Sequence, residues 1–372
     1  MMKKLKILAL SVLLTAGLTS CEDDDQIVIA SESSPTLLEA DVDRFELDRT
    51  NTANPALTLS WSSAEYSEQT PLNYQIEASS DEAFTESATS NPVSATNSIT
   101  FSVSELNSLA AQAGLPPFEW NTIFLRVKSF LGDAPGSVQS RSNAIDLEIY
   151  TYYDYPVTDF FLVGPASASD WNNDNNNAVV FRDAANTNLY NYTGRFNSGP
   201  LKILEQRGAW APQYGENEDG GGLVLRPTEA ADDPPAINDL ESLGEGYYTF
   251  SVNASNLTFT VTPFDTGSST PLGSLSISGS ALVNGEATLT QYDIGGEVFD
   301  EFIWYIPNVV MAPGEFTFTA NGSQQWGSTT IFSGTATPDG GNIPVDVEDE
   351  YEVWFNSLTG EYQFIPINLS QL

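Results

Sequence analysis

The second half of the chain contains an internal repeat of short segments in which apolar and polar residues alternate, and this pattern most narrows the possible folds. The first copy opens at Phe160–Ala166 and the second at Ser274–Ala281. Matching segments then follow in the same order: Leu189–Tyr192, Gly199–Leu204, Trp210 and Gly246–Val261 in the first copy, and Phe302–Tyr305, Gly314–Thr319, Trp326 and Glu350–Ile365 in the second. Alternation of period two predicts strands, and two units of roughly 100 residues are too few and too long for a solenoid. We predict two tandem β-sandwich modules, at 156–268 and 269–372.

The segment from 36 to 155 predicts a third, N-terminal β-sandwich of the immunoglobulin or fibronectin-III type. Its predicted strands are Leu57–Trp61, Leu72–Ile76, Ile99–Val103, Thr122–Phe130 and Ala144–Ile149, at the spacing typical of such folds. A short helix is predicted over Val103–Ala113, with Ser104 as its N-cap. Trp61 and Trp120 are predicted to lie in the core. The predicted fold class is thus all-β, with three sandwich modules in tandem.

The N-terminus predicts export and a lipid anchor. Lys3, Lys4 and Lys6 precede an apolar run that ends in the segment Leu18–Cys21. A basic start and a short apolar run describe a secretory signal, here residues 1–20, and the run is too short to span a bilayer. The tetrapeptide resembles the lipobox of bacterial lipoproteins, in which the cysteine is lipidated. We therefore predict lipidation of Cys21 and a flexible tether over 21–35. An ordinary cleaved signal is the alternative.

The composition excludes several classes of function. Residues 1–20 hold three of the 13 Lys and Arg residues and none of the 50 Asp and Glu residues, so the remainder carries a formal net charge of −40. Such a charge repels nucleic acid and the anionic head groups of a membrane. The covalent lipid on Cys21 is therefore predicted to be the only membrane attachment. Without His, Ser-His-Asp chemistry and His-ligated zinc are excluded. We predict no cofactor, no metal and no enzymatic activity.

The order of these features resembles the SusE/SusF outer-membrane proteins of Bacteroidota. The resemblance rests on the lipobox with its acidic run Glu22–Asp25, the segment Leu115–Arg126, and the first-repeat motifs Leu162–Gly164, Gly199–Leu204 and Trp210–Gly215. It implies a surface-exposed, outer-membrane starch-binding lipoprotein with carbohydrate-binding-like sandwiches. It also implies a place beside a SusC/SusD-type TonB-dependent transporter in polysaccharide utilisation.

The first repeat supplies the residue types that a glycan site requires. A sugar presents an apolar ring face and a rim of hydroxyls, so aromatic plates and polar side chains recognise it together. The resemblance assigns these roles to Trp171, Trp210 and Lys202. Gln213, Tyr214 and Asn173 are predicted rim contacts.

The second repeat departs from this pattern. Trp326 is predicted to be its loop tryptophan and a contact of a weaker second site, because Thr317 replaces Lys202 and the segment 280–285 has no Trp. The loop Asp170–Asn177 has alternating oxygen side chains but lacks the Gly and the final acid of a calcium loop, so a polar loop is favoured.

Three functional classes follow. The leading one is non-catalytic capture of a neutral polysaccharide, most simply starch or maltooligosaccharide. A β-sandwich glycoside hydrolase or lyase is the second, with Glu205, Glu216 and Asp219 as candidate carboxylates. A structural or adhesive surface lipoprotein is the third.

Overall fold

The structure is a computed structural model that describes residues 34–35, 37–66, 71–132 and 139–370. The chain divides into two compact units, Met1–Tyr152 and Tyr153–Leu372. The predicted signal segment, Cys21 and the acidic run Glu22–Asp25 lie outside the described residues. Among the described residues, no helix has the length and hydropathy needed to cross a membrane.

The N-terminal unit is a β-sandwich with one helix. Its strands are β1 Leu37–Ala40, β2 Arg44–Glu46, β3 Pro55–Trp61, β4 Leu72–Ser79, β5 Ala88–Thr89, β6 Val93–Ser94, β7 Ser98–Ser102, β8 Trp120–Leu131, β9 Gln139–Arg141 and β10 Ile145–Tyr150, and its helix is α1 Val103–Gln112. One sheet has the order β1-β3-β7, and the other has the path β2-β10-β8-β4-β5 with β6 and β9 at its sides. Apolar residues of both sheets and of α1 form a single core.

Two details of this unit differ from the sequence prediction. Helix α1 is capped by Ser102, not Ser104, because Ser102 and Glu105 form a reciprocal capping box. Trp61 is buried as predicted, whereas Trp120 is 40% exposed and the core prediction for it is wrong. The reason is strand parity: Ile123 and its alternate neighbours face the core, so Trp120 faces outward and stacks under the Arg44 guanidinium at 3.9 Å.

The C-terminal unit contains both copies of the repeat. The first repeat comprises β11 Phe160–Val163, β12 Val179–Arg182, β13 Leu189–Phe196, β14 Lys202–Leu204, β15 Gln213–Glu216, β16 Leu223–Arg226, α2 Asp239–Leu243, β17 Gly246–Asn253 and β18 Thr258–Pro263. The second repeat comprises β19 Leu275–Ser278, β20 Glu286–Ile294, β21 Glu297–Met311, β22 Gly314–Ala320, β23 Gln324–Gly327, β24 Ser333–Thr335, β25 Thr337–Pro338, β26 Ile343–Val345, β27 Asp349–Asn356, β28 Glu361–Pro366 and α3 Ile367–Ser370. The all-β prediction is confirmed.

The two repeats share one topology. The first has the strand order β16-β15-β14-β11-β12-β13-β17-β18, and the second has β25-β23-β22-β19-β20-β21-β27-β28 with β24 added at the end. In each, one strand changes partner along its length: Val179 and Val180 of β12 pair with β11, and Phe181 and Arg182 pair with β13. Such a strand carries the chain from one layer of a sandwich to the other.

A shared core joins the repeats. Tyr292, Ile303, Trp354 and Ile365 of the second repeat belong to the same buried cluster as the first-repeat strands. Tyr292 and Trp354 are fully buried, with ring centroids 5.2 Å apart in an edge-to-face arrangement. The repeats therefore pack against each other through apolar side chains.

Candidate functional site

A cavity of about 540 Å³ on the first repeat brings four of the predicted site residues together. It is lined by Trp171, Lys202, Trp210, Gln213, Arg226, Asp233, Pro234 and Ala236. Tryptophans thus stand beside a cation, an amide and a carboxylate in one concave surface. This is the combination of apolar plates and polar groups that a sugar ring requires.

Strand register explains why the polar residues share one face. Lys202 and Leu204 lie on the same side of β14 because they are two residues apart. Gln213 of β15 pairs with Leu204, and Arg226 of β16 pairs with Gln213. Lys202, Gln213 and Arg226 therefore share the side of the sheet where the cavity lies.

Asp233 organises the polar part of the site. Its Oδ1 accepts hydrogen bonds from Lys202 Nζ and Gln213 Nε2, both at 2.7 Å, and receives Arg226 Nη1 at 3.4 Å. The Lys202 side chain is only 8% exposed, whereas that of Asp233 is 58% exposed. A nearly buried ammonium is thus neutralised by a carboxylate that also faces solvent.

Gln213 carries an unused acceptor at this site. The residue is 1% exposed, and its Nε2 is held by Asp233. Its Oε1 is buried and has no hydrogen-bond partner among the described residues. Buried polar atoms are almost always paired in native proteins, so this acceptor is an exception within the site.

The tryptophans lie on two neighbouring loops. Trp171 is 43% exposed, and its Cη2 lies 3.2 Å from where a Cβ on Gly164 would stand, so the ring covers that glycine. Trp210 is half-buried and packs on the edge of the first-repeat core. The Gly208 amide donates to the Asn173 carbonyl at 2.9 Å and links the two loops.

Two other predicted contacts lie away from the cavity lining. Tyr214 pairs with Ile203, so it faces the opposite side of the sheet from Gln213. It is 8% exposed and donates to Glu205 at 2.8 Å, and burial raises its pKa above the usual range. Asn173 is half-buried, and its carbonyl belongs to the loop link described above.

The second repeat carries different residues at the matching positions. The Ala281 amide donates to the Glu315 carbonyl, as the Ala166 amide donates to the Pro200 carbonyl in the first repeat. Thr317 and Lys202 each lie two residues after the acceptor, so they are counterparts. Ile203 pairs with Tyr214, and its counterpart Phe318 pairs with Trp326.

Trp326 is therefore the structural equivalent of Tyr214, not of Trp210. It lies in strand β23 where a loop was expected, and it packs edge-on against Phe355 with ring centroids 6.0 Å apart. It does not line the cavity on the first repeat.

Sequence reasoning missed Arg226 and Asp233. Arg226 donates to the carbonyls of Glu229 at 2.7 Å and Ala231 at 3.0 Å, and so holds the loop that presents Asp233. The link between Asp233 and Lys202 depends on a contact 31 residues apart in the chain.

The carboxylates of the enzyme alternative do not gather in this cavity. Glu205 accepts from Tyr214, and Glu216 accepts from the Gly221 amide at 3.2 Å. A larger cavity of about 940 Å³ lies between the repeats, and Glu205, Arg207 and Glu352 are among its lining residues. None of the seven predicted glycan contacts lines it.

Comparisons with known proteins agree with a SusE-type N-terminal segment. The model of the SusE outer membrane protein family matches residues 22–128, which confirms the SusE-like resemblance over that part of the chain. Among solved structures, that of SusF from Bacteroides thetaiotaomicron aligns with 15% identity over 90% of this chain and 77% of its own. Its TM-score of 0.22 is too low to support an inference. No curated protein matches the chain.

Proposed function

We propose that the protein is a non-catalytic outer-membrane lipoprotein that captures a neutral polysaccharide, most simply starch or maltooligosaccharide. The observation that carries the proposal is the cavity that unites Trp171, Lys202, Trp210 and Gln213. The match of residues 22–128 to the SusE outer membrane protein family supports the location and the class of ligand.

The polar groups of the cavity favour a neutral ligand. Lys202 is paired with Asp233, and Arg226 approaches the same carboxylate and donates to two loop carbonyls, so both cations already have partners within the protein. The Lys202 ammonium has three protons and gives one to Asp233, so it can still donate to a sugar oxygen. A sugar hydroxyl accepts such a bond without carrying a charge.

Affinity electrophoresis in gels containing starch tests the proposal. Trp210→Ala should abolish the retardation of the wild-type protein, because it removes an aromatic plate. Trp120→Ala is the matched control, since Trp120 is also exposed but lies in the N-terminal unit. Retardation that survives Trp210→Ala, or is lost in Trp120→Ala, would reject this site. Release of reducing sugars from starch would instead favour the glycosidase alternative.

The anchor and the transporter partner form part of the same proposal. Lipidated Cys21 would hold the chain on the cell surface beside a SusC/SusD-type transporter. Cys21→Ala should release the protein from the membrane fraction while starch binding persists. Co-purification of a TonB-dependent transporter with the tagged wild-type protein tests the proposed partner. If no transporter is recovered with the protein from cross-linked membranes, the proposed partnership is rejected.

A further inference from the structure

The second repeat contacts the two loops that carry Trp171 and Trp210, here called the tryptophan loops. Arg207 lies in the loop that carries Trp210, and its guanidinium makes a bidentate pair with Glu352 of β27 at 2.6 and 2.9 Å. The side chains of Arg207 and Glu352 are only 21% and 10% exposed. The two parallel N–H···O bonds of a bidentate pair fix the relative orientation of the side chains. Because the pair is largely buried, either partner left alone would be poorly solvated.

The same guanidinium reaches the loop that carries Trp171. Arg207 Nε donates to the Asn177 carbonyl at 3.1 Å. The Asn177 side chain is fully buried, and its Nδ2 donates to the carbonyl of Asn172, the residue next to Trp171, at 3.0 Å. One side chain of the first repeat thus connects both tryptophan loops to Glu352.

Tyr292 of the second repeat makes a separate contact with the Trp171 loop. Its hydroxyl donates to the Asn176 carbonyl at 2.9 Å, and its ring is fully buried against Trp354. Asn176 has a φ of 48°, in the left-handed region that non-glycine residues rarely adopt. Such a conformation persists where the surroundings hold it, and Tyr292 supplies one such hold.

We infer that Arg207 is a positioning residue through which Glu352 of the second repeat fixes the geometry of the two tryptophan loops in the first repeat, while Tyr292 holds the Trp171 loop by its own contact. The inference rests on the proposed function for its effect on glycan affinity. It gives the second repeat a role other than binding, consistent with Thr317 in place of Lys202 and with Trp326 packed on Phe355. Preformed loops bind more tightly because less ordering is left to binding.

The test combines a ligand-free readout with a titration, both on the full chain. The protein is labelled with 5-fluorotryptophan, and the resonances of Trp171 and Trp210 are assigned with Trp171→Phe and Trp210→Phe. The variants are Arg207→Met, Glu352→Gln and Tyr292→Phe. The matched control is Arg195→Met, because Arg195 also donates across to the second repeat, to the Phe299 carbonyl at 3.1 Å, but contacts neither loop.

We expect Arg207→Met and Glu352→Gln to shift or broaden both resonances, and Tyr292→Phe to alter that of Trp171. Affinity for maltoheptaose should fall roughly tenfold in Arg207→Met and severalfold in the other two, with less than a twofold change in Arg195→Met. Arg207→Lys should recover only part of the loss, because an ammonium cannot make the bidentate pair.

Unchanged tryptophan resonances in Glu352→Gln and Tyr292→Phe would overturn the inference. These two variants nearly preserve side-chain volume, so they still provide the test if Arg207→Met does not fold. Equal effects in Arg195→Met would also overturn it, because the loss would then be one of general stability. If the wild type does not bind maltoheptaose, the proposed function fails, while the resonances still decide whether the second repeat positions the loops.

Discussion

Substituting the two partners of the Lys202–Asp233 ion pair should lower the free energy of unfolding by unequal amounts. Asp233→Ala leaves the Lys202 ammonium, whose side chain is 8% exposed, without its carboxylate. It also removes the acceptor of Gln213 Nε2, whose residue is 1% exposed. Lys202→Met instead removes the buried charge, keeps most of the side-chain volume, and leaves a carboxylate that solvent already reaches.

The magnitudes follow from burial. Removing one partner of a fully buried pair costs about 3–5 kcal/mol, but Asp233 is more than half exposed and water screens the pair, so we reduce this to about 1–2 kcal/mol. The lost partner of Gln213 adds about 1 kcal/mol. We expect Asp233→Ala to lower the free energy of unfolding by about 2–3 kcal/mol, and Lys202→Met by at most about 1 kcal/mol.

Urea unfolding followed by circular dichroism measures both values. The double variant Asp233→Ala/Lys202→Met should be more stable than Asp233→Ala alone, because the stranded charge is gone. Asp233→Asn serves as the control, since it keeps an acceptor for Gln213 and should fall between the extremes. If Asp233→Ala costs no more than Lys202→Met, the carboxylate does not stabilise the buried ammonium and the reasoning is refuted.

Three further predictions concern other parts of the fold. Gly164→Ala should destabilise the protein by about 2–4 kcal/mol in thermal unfolding, because Gly164 has a φ of 123° and a Cβ there would lie 2.6 Å from the Pro200 carbonyl oxygen; a melting temperature within 1 °C of wild type (about 0.5 kcal/mol or less) would contradict this. Burial raises the pKa of Asp159 to about 6, so the folded protein holds this proton more tightly than the unfolded chain and loses stability as pH rises from about 4 to about 6. The stability of Asp159→Asn relative to wild type should therefore increase over that interval, by on the order of 3 kcal/mol in urea titrations, and a flat difference would refute the buried carboxyl. Trp120→Ala should cost only about 0.5–1 kcal/mol, since an exposed ring that contacts Arg44 and Tyr150 is lost, whereas a core tryptophan would cost about 3–5 kcal/mol.

Much of the fold follows from local pattern. The five strands predicted in the N-terminal unit correspond to β3, β4, β7, β8 and β10, and their ends agree to within three residues. The repeat in the sequence reappears as a shared strand order, including hairpins closed by β18 and β28. Alternation and turn residues are local properties, so a sequence displays them directly.

Part of the candidate site was predictable for the same reason. Trp171 stands among polar residues and is exposed, and Lys202 and Gln213 follow the parity of their strands to one face. Tyr214 is adjacent to Gln213, and by that same parity it faces the other side. The alternation of faces can be read from the sequence. The residue at which β15 begins cannot, because a loop precedes the strand.

The sequence alone thus determined the all-β class, the duplication and the residue types that a glycan site needs, because each depends on neighbours along the chain. Only the tertiary structure decided that Asp233 joins Lys202, that Trp326 takes the place of Tyr214, and that Glu352 reaches the tryptophan loops through Arg207. These contacts join residues far apart in the chain. They depend on strand register and on which face another layer covers, and neither is written in the local alternation.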